Sequence, residues 1–308
     1  MPDVTIELAD ALNLPLVDDG VDLVVCSPPY EDARTYGIDF KLKEQAWVDW
    51  CVPRYMECLR VCRGLVVWVL QGKTRQFQWS CVPARLIVAL QDLGVSLRCP
   101  PIYHRVGIPG SGGPDWWRND YEFCICGQRE RGRLPWSDNT ATGHKPRWGV
   151  GGPLSHRLKD GRRVYGSRVI TPRGEDGKML TQGYKPPKKA NPGNALPHPF
   201  HEHWDFLHCD AGGGRMGSKL AHENEAPYPE ALVEPFIKSF CPPSGIVLDP
   251  FCGSGTTLAV ALKNDRNAVG YDIRQSQVDL SRKRIEEVQL EHRLFNDVFD
   301  DGNSNVGT

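Results

Sequence analysis

The sequence predicts an α/β fold, a sheet covered by helices on both faces and interrupted by one long, basic, loop-rich insertion. Three observations carry this. Short runs of β-forming apolar residues alternate with longer stretches of helical character. Several of these runs are apolar at every position, as strands buried on both faces of a parallel sheet are. Between residues 128 and 190 the composition changes, with 15 Lys plus Arg against 5 Asp plus Glu and little apolar periodicity.

Each element follows from the residues in turn. Val4-Thr5-Ile6-Glu7-Leu8 alternates apolar and polar residues and reads as a strand. Val21 to Cys26 reads as a buried strand, and Ser27-Pro28-Pro29-Tyr30 ends it, because two prolines cannot continue a central strand. Glu44 to Cys62 has helical character with an interruption at Pro53; Arg63-Gly64 closes it, and Leu65 to Leu70 is a further buried strand. Cys81 to Leu93 reads as a helix ending at Gly94, and Tyr121 to Cys126 as a strand. After the insertion come a helix over Pro229 to Phe240, a strand over Ile246 to Leu248 and a helix over Thr256 to Lys263. A strand over Ala268 to Tyr271 and a helix over Gln275 to Leu290 complete the order. These boundaries predict a sheet domain made of 1–127 and 215–297, a basic loop-rich region at 128–214 and a flexible tail at 298–308.

Bulk properties set limits. The 308 residues are 40% hydrophobic and 24% charged, with a formal net charge of -1, so the distribution of charge says more about partners than its sum. No apolar run is long enough to cross a bilayer and no secretion signal is visible, which predicts a cytoplasmic protein without a membrane partner. Eleven cysteines contain no CxxC pair and read as reduced, mostly buried thiols. His198, His201, His203, His208 and Cys209 crowd one segment. Their spacing matches no standard zinc finger, so no metal is expected and the segment is assigned to the same basic surface, which suits phosphates.

Two loops carry the chemistry. Asp249-Pro250-Phe251-Cys252-Gly253-Ser254-Gly255-Thr256-Thr257 lies between a strand and a helix, where glycines let a ligand approach the backbone. It lacks the lysine of a P-loop and the third glycine of a dinucleotide fingerprint. Asp272 ends the next strand, placed to accept hydrogen bonds from ribose hydroxyls. Asp249 suits the cationic end of a sulfonium ligand.

At these residues the sequence resembles the S-adenosylmethionine-dependent DNA amino-methyltransferases, in which a D-P-F-x-G-x-G-T-T loop holds the cofactor and an [S/D/N]-P-P-Y loop performs the reaction. Catalytic loop first and cofactor loop second resembles the permuted group called beta. The resemblance implies a Rossmann-like methyltransferase sheet with a target-recognition insertion, and S-adenosyl-L-methionine as cofactor. It implies Ser27, Pro28, Pro29 and Tyr30 as catalytic residues. Asp10 matches the acidic position beside the cofactor adenine, joining Asp249 to Thr257 and Asp272. Asn119 to Phe123 resembles a family segment taken as mainly structural. Ala226 to Leu232 resembles the cofactor-side F-P-x-x-L segment, with Tyr228 in place of Phe.

The chemistry accounts for Ser-Pro-Pro-Tyr. An exocyclic amino nitrogen is a poor nucleophile, because its lone pair is delocalised into the ring. Acceptors on its protons, here the Ser27 hydroxyl and the Pro28 carbonyl, would make it more pyramidal. Prolines hold the acceptors still, and Tyr30 offers a face to an extruded base. Methylation at cytosine carbon-5 needs a thiolate, usually in Pro-Cys, and the chain has no Pro-Cys. Serine in first position leans toward cytosine N4; adenine N6 stays open, as does a catalytically silent DNA-binding module. Methylation of RNA or of a protein glutamine is disfavoured by loop order and by the first residue. Double-stranded DNA is the expected partner, with Arg157, Arg162, Arg163 and Arg168 on its phosphates. A homodimer and a companion restriction endonuclease are further partners of this family type.

Overall fold

The computed structural model describes residues 2–32, 40–106, 115, 119–138, 141–142, 156–157, 160–164, 206–210, 218–224 and 226–303. In chain order the elements are β1 (Val4–Leu8), β2 (Val21–Cys26), α1 (Glu44–Val61), β3 (Cys62–Leu70), β4 (Thr74–Arg75), β5 (Gln78–Trp79) and α2 (Val82–Asp92). There follow β6 (Ser96–Arg98), β7 (Ile102–Val106), β8 (Tyr121–Gln128), β9 (His156–Arg157), β10 (Arg163–Val164) and β11 (Phe206–Asp210). The chain closes with a 3-10 turn (Lys219–Glu223), α3 (Glu230–Phe240), β12 (Ile246–Asp249), α4 (Thr256–Lys263), β13 (Asn267–Asp272) and α5 (Gln275–Asn303).

The main sheet has the order β1-β13-β12-β2-β3-β8-β7-β11, with β6 also paired to β8. The run from β1 to β3 is parallel, β8 is antiparallel to both β3 and β7, and β11 returns parallel to β7. Every residue of β2 is buried, because helices cover both faces. Leu23 and Val25 face a core shared with α3, α4 and α5. Val24 and Cys26 face the opposite core, built on α1 and α2 around Trp47, Tyr55 and Trp68. The expected helices on both faces are therefore present. The sheet is permuted: β12, near the end of the chain, sits beside β2, near its start.

Several local expectations change. Pro53 does not interrupt α1, which runs unbroken to Val61. Arg63-Gly64 lies inside β3 and does not close the helix. The β2–β3 register shifts between Val21 and Leu23, and a Cβ on Gly64 would lie 2.0 Å from the Asp22 carbonyl oxygen. Glycine is needed there for close backbone approach. β6 and β7 were missed because Pro100-Pro101 splits the segment into two short pieces along β8. β11 comes from the segment expected to lie outside the sheet, yet it pairs with β7 over five residues. α5 continues to Asn303, past the expected end at Leu290 and into the expected tail. Leu294, Phe295, Val298 and Phe299 continue a helical spacing, and no Gly or Pro intervenes before Gly302.

Ten described cysteines are free and eight of them are buried. Burial pushes the thiols of Cys58, Cys62 and Cys126 well up, to about 12 for Cys126, so these groups behave as small apolar side chains. Among the described residues, no helix is long and apolar enough to cross a membrane.

Gly64→Ala should destabilise the protein by about 2 kcal/mol or more, since the added methyl meets fixed backbone. A urea-denaturation midpoint equal to that of wild type would refute the close-approach explanation.

Candidate active site

Parallel pairing of β12 with β2 aligns Val247 with Leu23 and Leu248 with Val24. The chain leaves β12 toward β13 on one side and leaves β2 toward β3 on the other. This is a topological switch point, where the carboxyl ends of neighbouring strands open a crevice. The Asp249–Thr257 loop and the Ser27–Tyr30 loop emerge side by side, lining one cavity of about 600 Å³.

The Ser27–Tyr30 loop is held from three directions. The Ser27 hydroxyl donates to the Val69 carbonyl at 3.0 Å. A serine has one proton to give, so its oxygen keeps lone pairs to accept with. The Trp47 indole N–H donates to the Pro29 carbonyl at 2.9 Å. The Tyr30 hydroxyl donates to Glu122 Oε2 at 2.6 Å, which fixes the ring. Ser27, Pro28, Pro29 and Tyr30 all line the cavity.

The glycine loop turns sharply. Gly253 and Gly255 have φ of +50° and +76°, the left-handed region that favours glycine. A Cβ on Gly253 would lie 2.7 Å from the Asn224 amide nitrogen. Pro250, Phe251, Cys252, Gly253, Ser254 and Thr256 line the cavity, with Asp10 and Asp272. Phe251 packs against Trp50 and Trp68, at ring-centroid distances of 6.1 and 5.6 Å, tying this loop to α1 and β3.

Asp249, Gly255 and Thr257, expected at the cofactor, stand behind that lining. Asp249 is buried and accepts from the Phe251 N–H at 3.0 Å and the Tyr228 hydroxyl at 3.0 Å. Thr257 donates to the Val25 carbonyl at 3.2 Å and also meets the Tyr228 hydroxyl. The tyrosine that replaces the family's phenylalanine thus supplies a hydroxyl that joins Asp249 to Thr257. Gly255 caps α4 and faces Ser281.

Charge around the cavity is arranged in pairs. Asp10 bonds the Arg54 guanidinium at 3.1 Å, and that guanidinium lies 4.0 Å above the Trp50 ring. Asp272 accepts from the Gly253 N–H at 3.2 Å and the Arg274 N–H at 2.9 Å. Burial raises its carboxyl above the ordinary range, with the Arg274 N–H and guanidinium opposing. Burial also raises Glu122, against the Arg105 guanidinium at 3.2 Å and the Tyr30 bond.

Sequence reading missed Glu122, Arg105, Arg54, Lys73 and Ile273 as cavity residues. One of them left a signal. Glu122 shares its side of β8 with Cys124 and Cys126, and a carboxylate on the buried side of a strand calls for a partner. Asn119 to Phe123, taken as mainly structural, therefore contributes a side chain to the site.

Of the arginines expected on DNA phosphates, Arg157, Arg162 and Arg163 do not line the cavity. β9 and β10 pair antiparallel, with Arg163 opposite Arg157. Arg162 is exposed and pairs with Asp160 at 2.7 Å. Arg168 lies outside the described residues, as do His198, His201 and His203 of the histidine segment, while His208 and Cys209 fall in β11.

A glycine-cradled pocket and a rigid acceptor loop at the switch point of a largely parallel sheet define the methyltransferase class of α/β enzymes. The chain belongs to the N6/N4 methyltransferase family described as DNA methylase, whose model matches residues 21–283. It is a DNA amino-methyltransferase that uses S-adenosyl-L-methionine. The orphan methyltransferase M.BamHII of Bacillus amyloliquefaciens is 28% identical over 278 residues, covering 89% of this chain and 91% of that one. The DNA adenine methyltransferase YhdJ of Escherichia coli K12 is 23% identical over 290 residues, 91% of this chain and 80% of that protein. Among solved structures, the cytosine-N4-specific PvuII DNA methyltransferase superposes with a TM-score of 0.59 at 17% identity, covering 94% and 92% of the two chains, a likeness of fold.

Burial raises the Asp249 carboxyl to about 6. A carboxyl raised in the folded state binds its proton more tightly there than when unfolded, so ionising it costs stability. Relative to Asp249→Asn, wild type should lose about 3 kcal/mol as pH climbs from about 4 to about 6, then stay level. Urea titrations of both proteins across that range test this; a difference that does not vary with pH would contradict the assignment.

Proposed function

We propose that this chain methylates the exocyclic amino group of a base turned out of double-stranded DNA, with cytosine N4 as the preferred target. The supporting observation is one shared cavity, lined both by Ser27 to Tyr30 and by the glycine loop. Its volume of about 600 Å³ falls in the range of small-molecule sites.

The residues present fit the cofactor. Gly253 leaves open backbone where a side chain would collide with Asn224. Asp272 offers carboxylate oxygens to ribose hydroxyls, Ile273 an apolar surface beside it, and Asp10 an acceptor near the adenine. Asp249, Gly255 and Thr257 shape the loop from behind. When bound, S-adenosyl-L-methionine supplies a methyl group on a sulfonium, already activated for transfer.

The chain's own residues prepare the nucleophile. Ser27, its proton committed to Val69, accepts a hydrogen bond from the target amino group, and the Pro28 carbonyl accepts a second. The nitrogen becomes more pyramidal and its lone pair turns toward the methyl. Held by the glycine loop and Asp272, the cofactor would supply the methyl group and leave as the neutral thioether, while the surplus proton on the nitrogen would pass to solvent at the Ser27 oxygen. Tyr30, anchored through its hydroxyl to Glu122, serves as a wall for the base. Residues 128–214, apart from β11, form the target-recognition region, with 1–127 and 215–297 as the catalytic domain.

Incubation with double-stranded DNA and S-adenosyl-L-methionine, followed by nucleoside mass spectrometry, should yield N4-methylcytosine. N6-methyladenine would move the target to adenine, and absence of any methylated base would sink the reading. Ser27→Ala should lower turnover about 10²-fold while leaving cofactor affinity by calorimetry unchanged; full turnover would remove Ser27 from its role. Reversing charge at Arg157, Arg162, Arg163 and Arg168 should weaken DNA binding and flatten its salt dependence, by about 0.9 in log–log slope for each phosphate no longer neutralised. An unaltered slope would place the phosphates elsewhere.

A further inference from the structure

We propose that the β4–β5 hairpin is a wedge, its tip residues Gln76 and Phe77 entering the duplex at the place the target base leaves. This rests on the base-extrusion reading above.

The backbone of the hairpin is the first observation. Thr74 pairs with Trp79 and Arg75 with Gln78, which leaves a two-residue loop. Gln76 and Phe77 have φ of +45° and +65°. Two consecutive positive values make the mirror-image turn that Asn, Asp and Gly normally occupy. Residues with a Cβ adopt it only against a steric cost. Strain of this kind concentrates at functional sites. Here it presents a large apolar ring at 71% exposure.

Attachment is the second. The hairpin is fastened to the residues that directly follow the catalytic loop. The Lys73 N–H donates to the buried Glu31 carboxylate at 3.0 Å, and the Ser80 N–H closes the hairpin base on the Lys73 carbonyl at 2.9 Å. The Lys73 ammonium donates to the Asp32 carbonyl, and Arg75 pairs with the Asp32 carboxylate. Trp79 packs over Gly72, where a Cβ would lie 2.7 Å from its indole nitrogen. Lys73 itself lines the cavity. The base of the hairpin is therefore held against the residues that follow Ser27 to Tyr30, with Lys73 in the cavity wall.

Charge is the third. Lys43, Lys73 and Arg75 gather around Asp32, with Lys43 at 3.4 Å from its carboxylate. Three cations about one partly exposed carboxylate suit a DNA phosphate next to the extruded nucleotide.

Extrusion costs a few kcal/mol of stacking and pairing, least at a mismatch. An aromatic ring between the flanking bases restores stacking, as apolar wedges do in other DNA complexes. The Gln76 amide, both donor and acceptor, can meet the orphaned partner base.

The test uses the full chain and oligonucleotide duplexes carrying the target site, found by mapping methylated positions in plasmid DNA. One duplex has the target base paired, the other has it mispaired. Phe77→Ala should lose about tenfold or more in kcat/KM on the paired duplex yet stay within about threefold of wild type on the mispaired one. Phe77→Trp should retain the rate, and calorimetric cofactor affinity should be unchanged in both variants. An unchanged Phe77→Ala rate on the paired duplex, or an equal loss on both, would overturn the wedge. Wild type inert on both duplexes would end the function reading and the wedge together; an active wild type with an indifferent Phe77→Ala ends the wedge alone.

Discussion

Everything at the site depends on two strands from opposite ends of the chain lying side by side. β2 and β12 are separated by more than two hundred residues, yet Leu248 stands beside Val24. Their parallel pairing sends both following loops out of the same edge of the sheet. If the strands ran antiparallel, one loop would leave from the far edge and no common cavity could form. The pairing is held by burial on both faces, since Val24 and Leu248 share one core and Leu23, Val25 and Val247 the other. Burying such side chains is worth about 1.5–3 kcal/mol each, so the enzyme's geometry is written into its core. Asp22 adds a directional tie, accepting from the Ile246 N–H at 2.9 Å where β12 begins.

Above that edge, rigidity comes from hydrogen bonds that fix the polar groups of the Ser27–Tyr30 loop in place. Val69 takes the Ser27 proton, Trp47 holds the Pro29 carbonyl and Glu122 holds the Tyr30 hydroxyl. Prolines remove further freedom. Acceptors fixed in this way need little rearrangement when an amino group arrives. The cofactor side follows the same logic. Asp249 and Thr257 are joined through Tyr228 behind the loop, while Gly253 and Ser254 meet the cavity. Residues of one motif thus divide between lining the cavity and bracing the lining.

The legible parts of the fold were those with local signals. β2, β3 and β12 are built on the apolar runs Leu23 to Cys26, Leu65 to Leu70 and Ile246 to Leu248, and α3 and α4 show helical spacing with the punctuation expected of their ends. The parts that were missed depend on distant partners. Ser96–Arg98 and Ile102–Val106 are short, split by prolines and polar in places; they are strands because β8 offers both an edge. Gly64 looked like a helix stop, since nothing local reveals the Asp22 carbonyl pressing on it. Pro53 looked like a break, yet α1 passes through it while Trp47, Cys51, Tyr55 and Cys58 stay packed on the sheet.

By itself the sequence determined the α/β class, the two motif loops and the amino-methyltransferase family that they mark. Those features are local: a glycine turn, a proline-stiffened strand end and an acidic strand tip each carry their conformation within a few residues. Tertiary structure alone decided which motif residues reach the cavity and which stand behind it. It also brought Glu122 to Tyr30 and Arg54 to Asp10, and clamped the β4–β5 hairpin to Glu31 and Asp32. Those contacts join side chains far apart in sequence, and their distances follow from how strands order and helices pack, which no short window of residues encodes.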